Sequence, residues 1–158
     1  MRRTAVAVAI SCLGLAAGLF TLDVARDDPG YWFAGTSTLD AAVLLVTGWA
    51  LIGCGVVAWV RQPSGRFGPL VAAAGFAWFL LEWNNPGIDS ALAFTVGLCL
   101  YASCPPLVAH AVLSTPAGRR LTRVEAGSLV LAYAAFALGL GLLPALFFDP
   151  AASGGHEA

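Results

Sequence analysis

The chain has 158 residues, 59% of them hydrophobic and 11% charged, with a formal net charge of -1 and a mean hydropathy of +0.81. Soluble domains hold roughly 45 to 50% apolar and about 25% charged residues, so a water-soluble fold is excluded for want of anywhere to bury the excess. The near-zero charge leaves no basic field for nucleic acid, and the expected surroundings are the lipid bilayer.

A helix crosses a hydrocarbon core of about 30 Å with around 20 predominantly apolar residues. The first such stretch is 4–22. It follows Arg2 and Arg3 as a signal peptide would, but Asp23 intrudes where a cleavage site needs small residues, so a retained anchor is expected. Gly14 and Gly18 form a small-xxx-small pair on it, suited to packing within the chain or to a homodimer. The loop 23–40 follows, with Tyr31, Trp32 and Phe33 expected to lie at the headgroups as an interfacial segment.

The second stretch, 41–60, ends beside Trp59, and a short basic loop, 61–66, connects it to a third at 67–83. Glu82 trims that third stretch toward the lower limit of about 17 residues and is expected to snorkel to the interface beside Trp83. After the loop 84–90 comes a fourth stretch, 91–113, interrupted by Pro105 and Pro106. These prolines leave the carbonyls of Tyr101 and Ala102 without their usual donors, which predicts a kink serving as a hinge or as a packing device. His110 lies about one turn from the end of this stretch, where a neutral imidazole bonded to a neighbouring carbonyl is expected ahead of a proton relay. The loop 115–125 leads to a fifth stretch, 126–148, which carries small pairs at Ala135 and Gly139 and at Ala137 and Gly141.

The predicted fold is therefore all-α: a polytopic transmembrane helix bundle of about five spans forming one domain over 1–150, with a short flexible tail at 151–158. Cytoplasmic loops hold an excess of basic residues. With the N-terminus inside, Arg2, Arg3, Arg61, Arg66, Arg119, Arg120 and Arg123 all fall on the cytoplasmic side and Arg26 alone outside, so the C-terminus is expected outside. A multi-pass protein of the plasma membrane follows.

Few residues invite chemistry. Glu82, Asp89, Asp23 and Asp40 are candidates for an acidic outer mouth that responds to protons, divalent cations or cationic peptides, against the plainer reading of solvated loop acids. The four cysteines, Cys12, Cys54, Cys99 and Cys104, all sit in apolar runs and read as buried, inert thiols. There is no Walker loop, GxSxG elbow, HExxH or glycine-rich nucleotide fingerprint. His156 and Glu157 are set aside as a phospho-acceptor pair because the tail is expected outside, away from ATP. No enzyme activity, cofactor or metal is expected of the chain. Beside a sensory role, the composition allows a small transporter or channel subunit, or a structural membrane partner.

Residues 48–60, the loop Arg61, Gln62, Pro63, Ser64, Gly65, Arg66, and the run Ala74, Gly75, Phe76, Ala77, Trp78, Phe79, Leu80 together resemble the N-terminal membrane region of actinobacterial sensor histidine kinases. His110 to Thr115 followed by Pro116, Ala117, Gly118 and Arg119 is similar to that group's exit into a cytoplasmic loop, with Thr115 in place of an aromatic and Ala117 in place of a serine. Phe147, Phe148, Asp149 and Pro150 look like the start of an outer loop of the same group. The resemblance covers 48–150 and implies a sensory input module of a two-component system. The phospho-acceptor helix and the ATP-binding domain would lie beyond residue 158, so the expectation is a truncated, split or separately encoded sensor portion that works with a cytoplasmic kinase partner.

Overall fold

A computed structural model of the chain describes residues 2–27, 37–85, 88, 90–115 and 121–147. Helices carry nearly all of them: α1 (Arg2–Asp27), α2 (Thr38–Arg61), α3 (Phe67–Leu80), α4 (Ala91–Leu100), α5 (Cys104–Leu113), α6 (Arg123–Tyr133) and α7 (Leu143–Leu146). Three tighter or looser helical segments join them: 3-10 turns at Leu81–Trp83 and Tyr101–Ser103, and a π-helical run at Ala134–Leu142. No strand occurs among the described residues.

Four of the resulting rods are long and apolar enough to cross a bilayer, namely Arg3–Val24, Thr38–Arg61, Ala91–Leu113 and Arg123–Leu146, while Phe67–Trp83 is shorter. Their outward faces are greasy. Leu13 is 63% exposed, Leu92 76% and Leu131 71%, with many valines and leucines beside them. Soluble surfaces do not tolerate contiguous apolar area on this scale, and helices suit lipid because their backbone bonds lie within the segment. The chain is an all-α bundle of membrane-spanning character.

The short helix α3 is the hub. It contacts α1, α2, α4 and α5, and its interface with α2 is the most extensive in the molecule. Its composition explains this position: Gly68, Ala72, Ala74, Gly75 and Ala77 give it almost no side-chain bulk, so its neighbours close onto its backbone, and all five are buried. Phe79 is fully buried at its far end and joins Ala7, Leu44, Ile52 and Val56 in the core. The rod α6–π–α7 lies outermost, packed on α4 and α5.

Helix ends are set by local chemistry. Ser37 caps α2, its hydroxyl accepting from the Asp40 amide at 3.1 Å and donating to the Asp40 carboxylate at 2.6 Å. Thr122 and Glu125 form a reciprocal capping box on α6, with bonds of 3.2 and 2.8 Å. These caps start α2 at Thr38 rather than at the expected 41, and α6 at Arg123 rather than at 126. The small pair Gly14 and Gly18 faces α2 and α3: a Cβ on Gly14 would lie 2.8 Å from Ile52, and one on Gly18 2.5 Å from the Trp49 ring. That face is spent on packing within the chain. Gly139 meets nothing, whereas Gly141 abuts the Cys99 carbonyl of α4.

Candidate functional site

Where α3 ends, three polar side chains are sealed from the surface: Thr21 is 0% exposed, Glu82 2% and Asn85 2%. Their burial follows from pitch. The chain tightens to a 3-10 turn at Leu81–Trp83, in which residues three apart eclipse one another. Glu82 therefore continues the inward face that Phe79 occupies, and Asn85 follows at the same spacing. Ile88 closes the turn by donating its amide to the Asn85 carbonyl at 3.2 Å.

Trp83 ties this turn to the neighbouring helices. Its indole N–H donates to the Thr21 hydroxyl at 2.8 Å, and that hydroxyl donates in turn to the Ala17 carbonyl at 2.8 Å. Phe20 meets the Trp83 ring edge to face at 5.0 Å between centroids. From the other side α4 approaches through Gly97, where an added Cβ would sit 2.6 Å from the Trp83 Cβ. Two further tryptophans stitch helices in the same way: Trp49 donates to the Gly14 carbonyl and Trp78 to the Leu44 carbonyl, each at 3.1 Å. An ionised carboxylate inside such an enclosure costs several kcal/mol unless it is compensated. Any change in the charge of Glu82 thus bears on α1, α3 and α4 together.

The expected interruption of the fourth rod is present as the 3-10 turn Tyr101–Ser103, with Pro105 and Pro106 in the first turn of α5. Pro106 is buried and Pro105 exposed. His110, on α5, hydrogen-bonds through Nδ1 with the Tyr133 hydroxyl of α6 at 3.2 Å, the two rings standing nearly perpendicular at 78°. Its side-chain partner is therefore a phenol on the next helix and not the backbone carbonyl expected from the sequence.

The other candidates fall apart in space or outside view. Glu82 does not snorkel, because the turn carries it inward. Asp40 is engaged at the α2 cap, and Asp23 is exposed on α1. Asp89, Arg119, Arg120 and the aromatic trio Tyr31, Trp32 and Phe33 lie outside the described residues. Arg61, Arg66 and Arg123 are exposed at helix ends. Cys12 and Cys54 are exposed on outward faces and Cys99 and Cys104 half-buried, so the thiols are not the buried set expected. Among the described residues no three His, Cys, Asp or Glu side chains gather as a metal site.

Sequence reasoning missed Thr21, Asn85 and Tyr133. Nothing local marks the Thr21 to Trp83 bond, whose ends lie 62 residues apart. Family models, curated proteins and solved structures offer no match to this chain.

Proposed function

We propose that the chain is the multi-pass input module of a two-component signalling system, set in the plasma membrane with the arginine-bearing helix ends inside, and that it acts through a partner kinase. On this reading α3 crosses as the third of five spans and the turn holding Glu82 faces the outer leaflet. The sequence resemblance over 48–150 supplies the functional class.

The observation that carries the reading is the buried junction of Thr21, Glu82, Trp83 and Asn85 at one end of the central helix. The opposite end of α3 begins at Phe67, beside Arg61 and Arg66. A perturbation of the junction is thereby delivered to the hub that touches α1, α2, α4 and α5. Helices α4 and α6 adjoin segments of altered pitch, Tyr101–Ser103 and Ala134–Leu142, which can absorb a shift without breaking the core. Signalling needs such an element with two arrangements whose balance a stimulus can bias.

The test is reconstitution of the full chain in proteoliposomes with a candidate histidine kinase from the same organism that lacks a sensor region of its own. The expected result is co-purification of the two and a change in kinase autophosphorylation that depends on the chain and is altered by Glu82→Gln. Solute flux carried by the chain alone, with no effect on the kinase, would replace this reading with a transporter.

A further inference from the structure

At the end of the bundle away from Glu82, helices α1, α2 and α3 leave an apolar cleft of about 250 Å³ lined by Val6, Ile10, Val56, Trp59, Pro69 and Ala72. Gly55 and Gly68 complete the lining at its floor, where α2 and α3 meet backbone to backbone. The helix surfaces beside it are lipid-facing, with Val6 40% and Val8 57% exposed. Anything that enters comes from the bilayer.

Two arginines lie one turn beyond the lining residues at this end of the bundle. Arg3 precedes Val6 and Ile10 by three and seven residues on α1, and Arg66 precedes Pro69 and Ala72 by three and six, with its own backbone already helical at φ -83° and ψ -19°. Helical spacing places Arg3 on the face of Val6 and Ile10, and Arg66 on the side of Pro69, each one turn nearer the helix end. Both are exposed, and neither takes part in an ion pair among the described residues. A third polar group belongs to a lining residue. Trp49, Trp78 and Trp83 all donate their indole N–H inside the protein, whereas Trp59, which lines the cleft, donates to nothing among the described residues.

We propose that this cleft is a binding site for one anionic phospholipid, with part of an acyl chain between Val6, Ile10 and Pro69, the phosphate held by Arg3 and Arg66, and the Trp59 indole N–H donating to a phosphate or ester oxygen. Apolar walls beside two exposed cations match this ligand on both counts. A small anion has no use for the walls, and a zwitterionic lipid gains less from the arginines. The assignment does not depend on the signalling role, because it uses only the end of the bundle where the arginines lie.

The test places the full chain in nanodiscs whose phosphatidylglycerol or phosphatidylcholine carries brominated acyl chains, and reads tryptophan quenching together with lipid binding by native mass spectrometry. Each basic residue near an anionic surface is worth about fivefold in affinity, so the expected preference for phosphatidylglycerol is of the order of tenfold or more from the two arginines. The double variant Arg3→Gln, Arg66→Gln brings that preference close to unity, and Trp59→Phe removes the selective quenching. Val6→Phe, at an already exposed position, blocks the cleft with both arginines intact and lowers binding of either lipid there. Equal quenching by the two lipids in the wild-type chain overturns the proposal, as does an undiminished preference in the double arginine variant. Displacement of the lipid by excess inorganic phosphate alone overturns the acyl-chain part.

Discussion

Gly55 of α2 and Gly68 of α3 meet backbone to backbone: a Cβ built on either glycine would lie 2.7 Å from the carbonyl oxygen of the other. One heptad along, Gly48 and Gly75 repeat the relationship, the Cβ of Gly75 falling 2.9 Å from the Gly48 carbonyl. The two helices are thus joined backbone to backbone at Gly55 and Gly68, while the Phe79 ring and Ile52 fill the space beside Gly48 and Gly75. In lipid, where apolar side chains gain nothing by leaving the solvent, such close packing supplies much of the association. Gly55→Val or Gly68→Val should force the hub apart and cost about 1 to 3 kcal/mol or more, the range for overpacking. Gly53→Ala, where nothing lies within 4 Å, should leave stability unchanged or slightly raise it. Thermal unfolding in a mild detergent distinguishes the two positions, and equal behaviour would refute the seam.

The Thr21 to Trp83 bond offers a second test because Thr21 is fully buried and Trp83 partly so. Thr21→Val keeps the shape but strands the indole N–H, which costs about 1 to 3 kcal/mol for an unsatisfied buried donor. Trp83→Phe removes the donor and part of the ring contact with Phe20. If the bond is made, the double variant should be more stable than the sum of the single losses implies, with a coupling energy of roughly 0.5 to 3 kcal/mol. Strict additivity would show that the two residues do not meet.

How much of this was legible beforehand depends on the range of the interaction. The five apolar stretches and the break at Pro105 and Pro106 are local properties of composition and backbone chemistry, and both reappear in the structure. The caps at Ser37 and Thr122 were also written locally, as a Ser three residues before Asp40 and a Thr three residues before Glu125. Each cap brings a charged residue into the first turn, so the helix begins three residues before its apolar stretch does. The inward turn of Glu82 was not legible, since it depends on a change from α to 3-10 pitch just after Phe79. Tyr133 was likewise invisible as the partner of His110, because helical spacing within α5 carries no information about which face of α6 lies opposite.

Glu82 is the position where stability and the proposed role can be separated. Glu82→Gln preserves volume and hydrogen-bonding capacity, so it should fold with a small change in melting temperature while abolishing or locking the kinase response. Glu82→Lys places a longer, oppositely charged group in the same enclosure and should cost about 3 to 5 kcal/mol, as an uncompensated buried charge does, and reduce membrane yield. A Glu82→Gln protein with wild-type signalling would remove the carboxyl from the mechanism.

Pro105→Ala with Pro106→Ala restores two backbone donors to the carbonyls of Tyr101 and Ala102. The fourth rod should then run as one helix, and spin labels at the exposed positions Leu92 and Val112 should move toward the roughly 30 Å that 20 residues span at 1.5 Å each. Pulsed electron resonance reads that distance. A straightened rod that still transmits the signal would make the break a packing device, whereas a straightened rod that is silent would make it a hinge.

The crossing of α3 decides the topology of everything after it. Phe67–Trp83 comprises 17 residues, which at 1.5 Å each reach about 26 Å, short of a hydrocarbon core of about 30 Å. A helix bathed in lipid would thin the bilayer or tilt its neighbours to make up the difference. Helix α3 is instead wrapped by α1, α2, α4 and α5, so its ends contact protein and the polar Glu82 and Asn85 are sheltered there. Reporter fusions resolve the matter: fluorescent protein should be bright after Gln62 and after Thr115, and alkaline phosphatase active after Asn84 and after Phe147. If phosphatase is inactive after Asn84 and fluorescence appears there, α3 turns back within the membrane, and the side assigned to the Glu82 junction reverses with it.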